Sequence, residues 1–250
     1  MNLQKGSVLR VRYSIKFKKG PDIKFVAHLD LMRSIQRTFK RASLPVEYSN
    51  GFNPHMRLSI AQPLSVGMHS TGEYLDIEFG EEVNVEEIQR RFNESSTESI
   101  KLLKVALIKG PYDKDGKKIP QSMSAIDAAS YEIRIKYTDV NGLEEKLLEL
   151  SGQEEWNIIK KTKSGEKDTN IRPMVKEFKF EIKNNVLCIY VLISCGSREN
   201  LSSELVSEYI KKHTDNVDSI AFTEIIRKEI YGKRDEKIMP LWEYFEKYTD

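Results

Sequence analysis

Val8-Leu9-Arg10-Val11-Arg12-Tyr13-Ser14-Ile15-Lys16-Phe17 decides the fold. Val11, Tyr13, Ile15 and Phe17 recur at every second position, with Arg12, Ser14 and Lys16 between them. A period of two turns one face of a β-strand to a core and the other away from it. The next segment, residues 28–43, has a longer period. Leu31, Ile35, Phe39 and Ala42 fall on one face of a helix, with Arg33, Arg37, Lys40 and Arg41 opposite. Pro45 stops it, because a residue before proline is pushed out of helical geometry. Residues 46–49 and 57–61 read as strand pieces around a Gly/Asn/Pro loop, and residues 74–79 alternate again. Residues 84–94 form a short helix holding Val85, Ile88 and Phe92, and residues 100–108 are a last strand. The order β-α-β-β-α-β is the split arrangement of ferredoxin-like folds.

Residues 109–125 are polar and turn-rich, with Pro111, Gly116 and Pro120, and read as a linker. A looser second pass follows. Residues 130–138 are a strand, 143–150 a short helix and 157–163 a strand; 175–183 and 186–194 form a hairpin turning at Asn184-Asn185. Residues 201–213 are a helix and 219–231 close the pass. The expected class is α+β: two ferredoxin-like domains in tandem, the second with an extra hairpin strand. The expected boundaries are 1–109 for the first domain, 110–126 for the linker, 127–234 for the second domain and 235–250 for a tail. That tail packs Leu241, Trp242, Tyr244, Phe245 and Tyr248 into one short stretch. It either docks on its own domain or offers a partner an aromatic helix.

The formal net charge of +2 hides an asymmetry: residues 1–69 hold 12 Lys/Arg against 3 Asp/Glu. Such a basic quarter is a footprint for a polyanion. No apolar run approaches the roughly 20 residues of a membrane span. Met1 to Gly6 lack the apolar core of a signal peptide. Two cysteines, Cys188 and Cys195, in 250 residues argue for a reducing compartment, so a cytoplasmic location is expected. Cys188 alternates inward on its strand and reads as core. Two cysteines also fall short of the three close thiolates a radical S-adenosylmethionine cluster needs. No Walker loop, Gly-x-Gly-x-x-Gly or Gly-x-Ser-x-Gly is present, and no cofactor is expected.

Arg33, Arg37 and Arg41 stand four apart and form a stripe rising about 6 Å per step, able to neutralise phosphates. Lys40 lies beside it. Ser49, Gly51, Asn53 and His55 describe a constrained loop, in which Gly51 permits close backbone approach to a phosphate and Phe52 offers a stacking face for a base. His28 and Asp30, at a helix start, would complete a pocket with this loop. Residues 156–180 hold 7 basic and 3 acidic residues, and Lys160, Lys161, Lys163 and Arg172 extend the basic track. His28 and His55 are also candidates for paired acid/base cleavage of RNA, with Asp30 beside them. A His-x-Asp pair plus a distant His is too sparse for a metal site to be expected.

Several of these residues recur in a known pattern. Phe25-x-x-His28-Leu29-Asp30-Leu31-x-Arg33, Leu44-Pro45, Ser49-x-Gly51-Phe52-Asn53-Pro54-His55, Ser59-x-Ala61-x-Pro63-Leu64-x-Val66-Gly67 and Glu73-Tyr74-x-Asp76 occur in order. The chain here resembles the radical-SAM-linked protein family, a domain of unknown function found beside, or fused behind, radical S-adenosylmethionine proteins. The resemblance covers residues 8–109 well. The second half shares Ile171-Arg172-Pro173 and Ile226-Arg227. Met56 stands where the family usually has a second proline. The resemblance implies a separate radical SAM partner and an association with genes for ribosomal proteins and an RNase of the E/G type.

The reading that follows is an accessory nucleic-acid-binding protein, for RNA or on the ribosome, working beside a radical SAM enzyme. The alternatives are a protein–protein adaptor for that partner, using the aromatic tail, and a metal-independent RNA endonuclease using His28 and His55.

Overall fold

Period two builds β1 (Val11–Lys19), which buries Tyr13, Ile15 and Phe17 completely. The computed structural model describes residues 10–162 and 165–249. α1 (His28–Arg41) lays Leu31, Ile35 and Phe39 on that apolar face and leaves its basic side to solvent. Phe39 meets the rings of Phe79 and Phe92 at 6.3 and 4.7 Å between centroids. Truncating such a side chain to alanine costs about 3–5 kcal/mol. β2 (Leu58–Ala61) and β3 (His69–Phe79) follow. α2 (Val85–Glu94) starts where the Asn84 side chain accepts from the N–H groups of Glu86 and Glu87, and β4 (Ile100–Ile108) completes the first half. The strands stand in the order β4-β1-β3-β2, each antiparallel to its neighbour.

After the short α3 (Ser122–Ala125), the second half runs through β5 (Ile126–Lys136), α4 (Leu143–Gly152), β6 (Asn157–Thr162), β7 (Gly165–Asn170), β8 (Val175–Lys183), β9 (Val186–Ser194), α5 (Ser203–Lys212) and β10 (Glu224–Arg234). Its main strands stand as β10-β5-β9-β8, also antiparallel. The expected strand over 157–163 does not join them. It pairs with β7 in a separate two-stranded sheet. The extra element is therefore a whole inserted hairpin rather than one strand.

The halves share one sheet. β10 pairs in parallel with the start of β3, Ile226 opposite His69 and Arg227 opposite Ser70, while β2 takes the same edge of β3 further along, opposite residues 74–77. The result is a mixed α/β fold on a nine-stranded, mostly antiparallel sheet. Residues 109–125 are not a free linker. Ile119 and Ser122 are buried, and Ser122 donates from its N–H and its hydroxyl to Asp76 at 2.7 and 2.8 Å.

β11 (Lys237–Pro240) and α6 (Leu241–Glu246) fold back over both halves. Leu241 and Phe245 are fully buried, the Trp242 N–H donates to the Tyr74 hydroxyl at 3.2 Å, and Lys104 lies 4.8 Å over the Trp242 ring. Among the described residues no helix is long and apolar enough to cross a membrane.

Candidate nucleic-acid interface

An amphipathic helix with one face in the core must present the other outward. On α1 the outward face carries, in order, Leu29, Arg33, Arg37 and Lys40, all exposed. Arg33 donates to Asp30 at 3.0 Å, one turn back, with both side chains more than 60% exposed. Such a pair contributes little and leaves the guanidinium open to another partner. Arg41 differs. It donates to the Thr38 hydroxyl at 2.9 Å and the Ser95 carbonyl at 3.0 Å, so it ties α1 to the end of α2. The expected stripe is thus Arg33, Arg37 and Lys40, with Arg41 held by the fold.

Lys40 leads to the loop. Its Nζ lies 5.5 Å from the centroid of the Tyr48 ring, and Tyr48 bridges Met56 across the loop base. Ser49 closes that base: its N–H donates to the His55 carbonyl at 2.8 Å and its hydroxyl accepts from the His55 N–H at 2.9 Å. Gly51 has φ +119° and open space where a Cβ would stand. Phe52 projects wholly into solvent, and Asn53 and His55 are exposed beside it. The closed loop holds this ring outside the core, and its face is free to stack.

The base of the loop and the start of α1 lie at different places along the helix. His28 opens α1, whereas the loop leaves beside Lys40, twelve residues or about 18 Å further along the helix. Among the described residues no cluster of three or more His, Cys, Asp or Glu groups is placed to hold a metal ion.

The track proposed for the second half is also reduced. Arg172 donates to the carbonyls of Val175 and Ser151 at 3.1 and 3.4 Å and stacks over Trp156, so it braces the turn before β8. Lys160 lies half-exposed on β6. Lys163 and the side chain of Lys161 lie outside the described residues.

Other residues of the quoted pattern point inward and join the halves. Arg227 and Glu73, both 1% exposed, form a buried ion pair, with Arg227 Nε donating to Glu73 at 2.7 Å and Nη2 to the Gln62 carbonyl at 2.7 Å. Tyr74 donates to Glu229 at 2.9 Å, and Lys16 pairs with the same carboxylate. Burial, reinforced by Glu229, pushes the Tyr74 hydroxyl far above its usual range. Burial raises Asp76 against the pull of its two bonds from Ser122. The buried Lys19 ammonium, lowered by desolvation, donates to the carbonyls of Lys24 and Val26 at 3.1 and 3.2 Å and fixes the approach to α1. Sequence reading missed this joint, although an acid inside an alternating apolar strand was a visible signal of it.

A model of the family described as "uncharacterized protein conserved in bacteria" (DUF2344) matches residues 12–203. The chain belongs to this family. The DUF2344 match therefore spans the first half and the second half up to the start of α5, and it stops short of β10, which carries Arg227 and Glu229. No curated protein matches the chain. Among solved structures it is similar to an unknown protein from Galdieria sulphuraria, at 10% identity and a TM-score of 0.25, covering 87% of this chain and 98% of that one. It is also similar to a candidate glycine cleavage system transcriptional repressor, at 14% identity and a TM-score of 0.23, covering 88% and 99%. Scores this low bear no argument about this DUF2344 chain.

Proposed function

We propose that this DUF2344 protein binds RNA on the open side of α1 and acts as an accessory to a separate enzyme, the radical SAM protein that the sequence resemblance implies. The observation that carries the reading is the unbroken row of exposed cations Arg33, Arg37 and Lys40 on one helix face, ending at a loop whose Phe52 ring is fully exposed. Cations in file neutralise successive phosphates, and a free ring stacks a base. We read each half as a ferredoxin-like unit, because the strand order β4-β1-β3-β2 recurs as β10-β5-β9-β8. Leu241 and Phe245 of the tail are buried against their own chain, which favours the RNA reading over an adaptor that docks through the tail.

The test is a binding titration against salt with a single-stranded RNA. Log affinity falls with log salt, and in an Arg33→Ala/Arg37→Ala/Lys40→Ala variant the slope becomes shallower by about 2, at roughly 0.7 per lost phosphate contact. An unchanged slope removes α1 from the interface.

A further inference from the structure

The row on α1 has a second end. Leu29, four residues before Arg33, is 56% exposed, and four residues earlier in the chain Phe25 forms an edge-to-face pair with Phe222, the ring centroids 6.1 Å apart. Both rings stay more than half exposed. Lys24 places its ammonium 5.3 Å from the Phe25 centroid and 4.8 Å from that of Phe222. Gly67, at φ +93°, sits against both ring tips, and its N–H donates to the Lys24 carbonyl at 2.9 Å. The two rings come from opposite halves of the chain, so the ledge exists only when the halves are joined.

Beside Phe222 opens a cavity of about 480 Å³ between Val66–Met68, α5 and the turn before β10. Val66, Met68 and Phe222 give it apolar walls, while Glu204, Glu208 and Lys211 add two acids and one base to its lining. Ser207, 2% exposed, contributes to its lining, and the Ser207 hydroxyl has no hydrogen-bond partner. A buried hydroxyl without a partner costs free energy that a ligand's polar edge can recover. A flat ring with polar edges suits apolar walls, a lining serine whose hydroxyl is unpartnered, and acidic and basic groups beside it that can meet the ring's donors and acceptors. A purely apolar side chain from a protein would leave that hydroxyl unmet. The adjoining cation and the basic row match a polyanion.

We propose that the Phe25–Phe222 ledge and this cavity hold an unpaired nucleobase, and that the strand then follows α1 to Phe52. The ligand is thereby single-stranded. Leu29 to Lys40 spans about 17 Å of helix, so a base site at each end gives a footprint of about four to five nucleotides, at the short end of single-strand sites. This inference rests on the RNA reading above and adds the strand state and the footprint.

The test uses fluorescence anisotropy of the full chain with oligouridylates and oligoadenylates of about two to eight nucleotides, and with a duplex of the same length. Affinity should rise with length and level off near five, with the duplex weaker. Phe25→Ala/Phe222→Ala should weaken binding about ten-fold or more, with thermal unfolding unchanged because both rings are exposed. Ser207→Ala should narrow the preference between the two bases. Wild-type affinity in the double phenylalanine variant, alongside loss in the α1 variant, overturns the base site and leaves the RNA reading standing. Equal binding of duplex overturns the single-strand assignment. Loss of a co-purifying protein without change in oligonucleotide affinity overturns it in favour of a protein partner. No binding of any oligonucleotide at low salt removes both readings.

Discussion

Residues 25–55 and residues 59–76 are alike as text: each mixes charged groups, aromatics, Gly and Pro. In space they are opposites. The first segment turns Arg33, Arg37, Lys40 and Phe52 to solvent. The second sends Glu73, Tyr74 and Asp76 inward, where Arg227, Glu229 and Ser122 receive them. A polar residue in a memorable motif is therefore no evidence of a site until its burial is known. Buried, it must be matched within the fold, and its loss weakens the fold. Exposed, it is stabilised by water and is free for a partner.

The contrast breaks most visibly under substitution. Arg227→Met leaves the Glu73 carboxylate buried and alone, and should lower stability by about 3–5 kcal/mol in chemical denaturation. Asp76→Ala strands the Ser122 N–H and leaves the Ser122 hydroxyl with Ser14 alone, for about 1–3 kcal/mol. In the other segment the triple α1 variant should stay within about 0.5 kcal/mol of the parent while changing RNA binding. A large stability loss there would show that the row is part of the fold. A finer probe is pH. His69, at the junction of β3 and β10, is held below its ordinary pKa by desolvation, Glu224 opposing and Lys24 and Arg134 adding to the effect, and its Nδ1 is buried without a partner. The unfolded chain then binds the proton more readily, so stability should fall as pH drops below about 6.5. That slope should flatten in His69→Gln. The smallest effect concerns the thiols. Burial pushes Cys195 up to about 11, so its alkylation near pH 8 should wait for unfolding, whereas half-exposed Cys188 reacts first.

Periodicity carried much of the fold. The alternation around Tyr13, Ile15 and Phe17 placed β1, and the turn at Asn184-Asn185 set both strands of its hairpin. It failed where polar residues sit in strands for reasons of pairing. β3 begins at His69, not residue 74, because Ser70 and Glu73 meet partners on β10 that lie far off in sequence. β7 reads Gly-Glu-Lys-Asp-Thr-Asn, with no apolar face, and is held by its ladder to β6. Cys188 was expected inside, yet it shares its side of β9 with the exposed Tyr190, opposite the buried Leu187 and Ile189. Of the candidate site, Arg33, Arg37, Lys40 and Phe52 were legible because helical spacing and loop chemistry are local. The carbonyl bonds of Arg41 and Arg172 were not legible, because charge alone does not tell a free guanidinium from one that donates to the backbone. Phe222 stayed hidden because its neighbour Phe25 lies across the joint.

The seat of β10 between β3 and β5 has a consequence for biosynthesis. A ribosome releases β3 and β5 long before residues 224–234 exist, so the nascent protein carries two unsatisfied strand margins from the completion of β5 until β10 emerges. Only the late arrival of β10, with Arg227 finding Glu73, zips them together. The closing step is thus one of the longest-range events in the molecule, and the interval before it is when the growing chain is most exposed to mispairing with its neighbours.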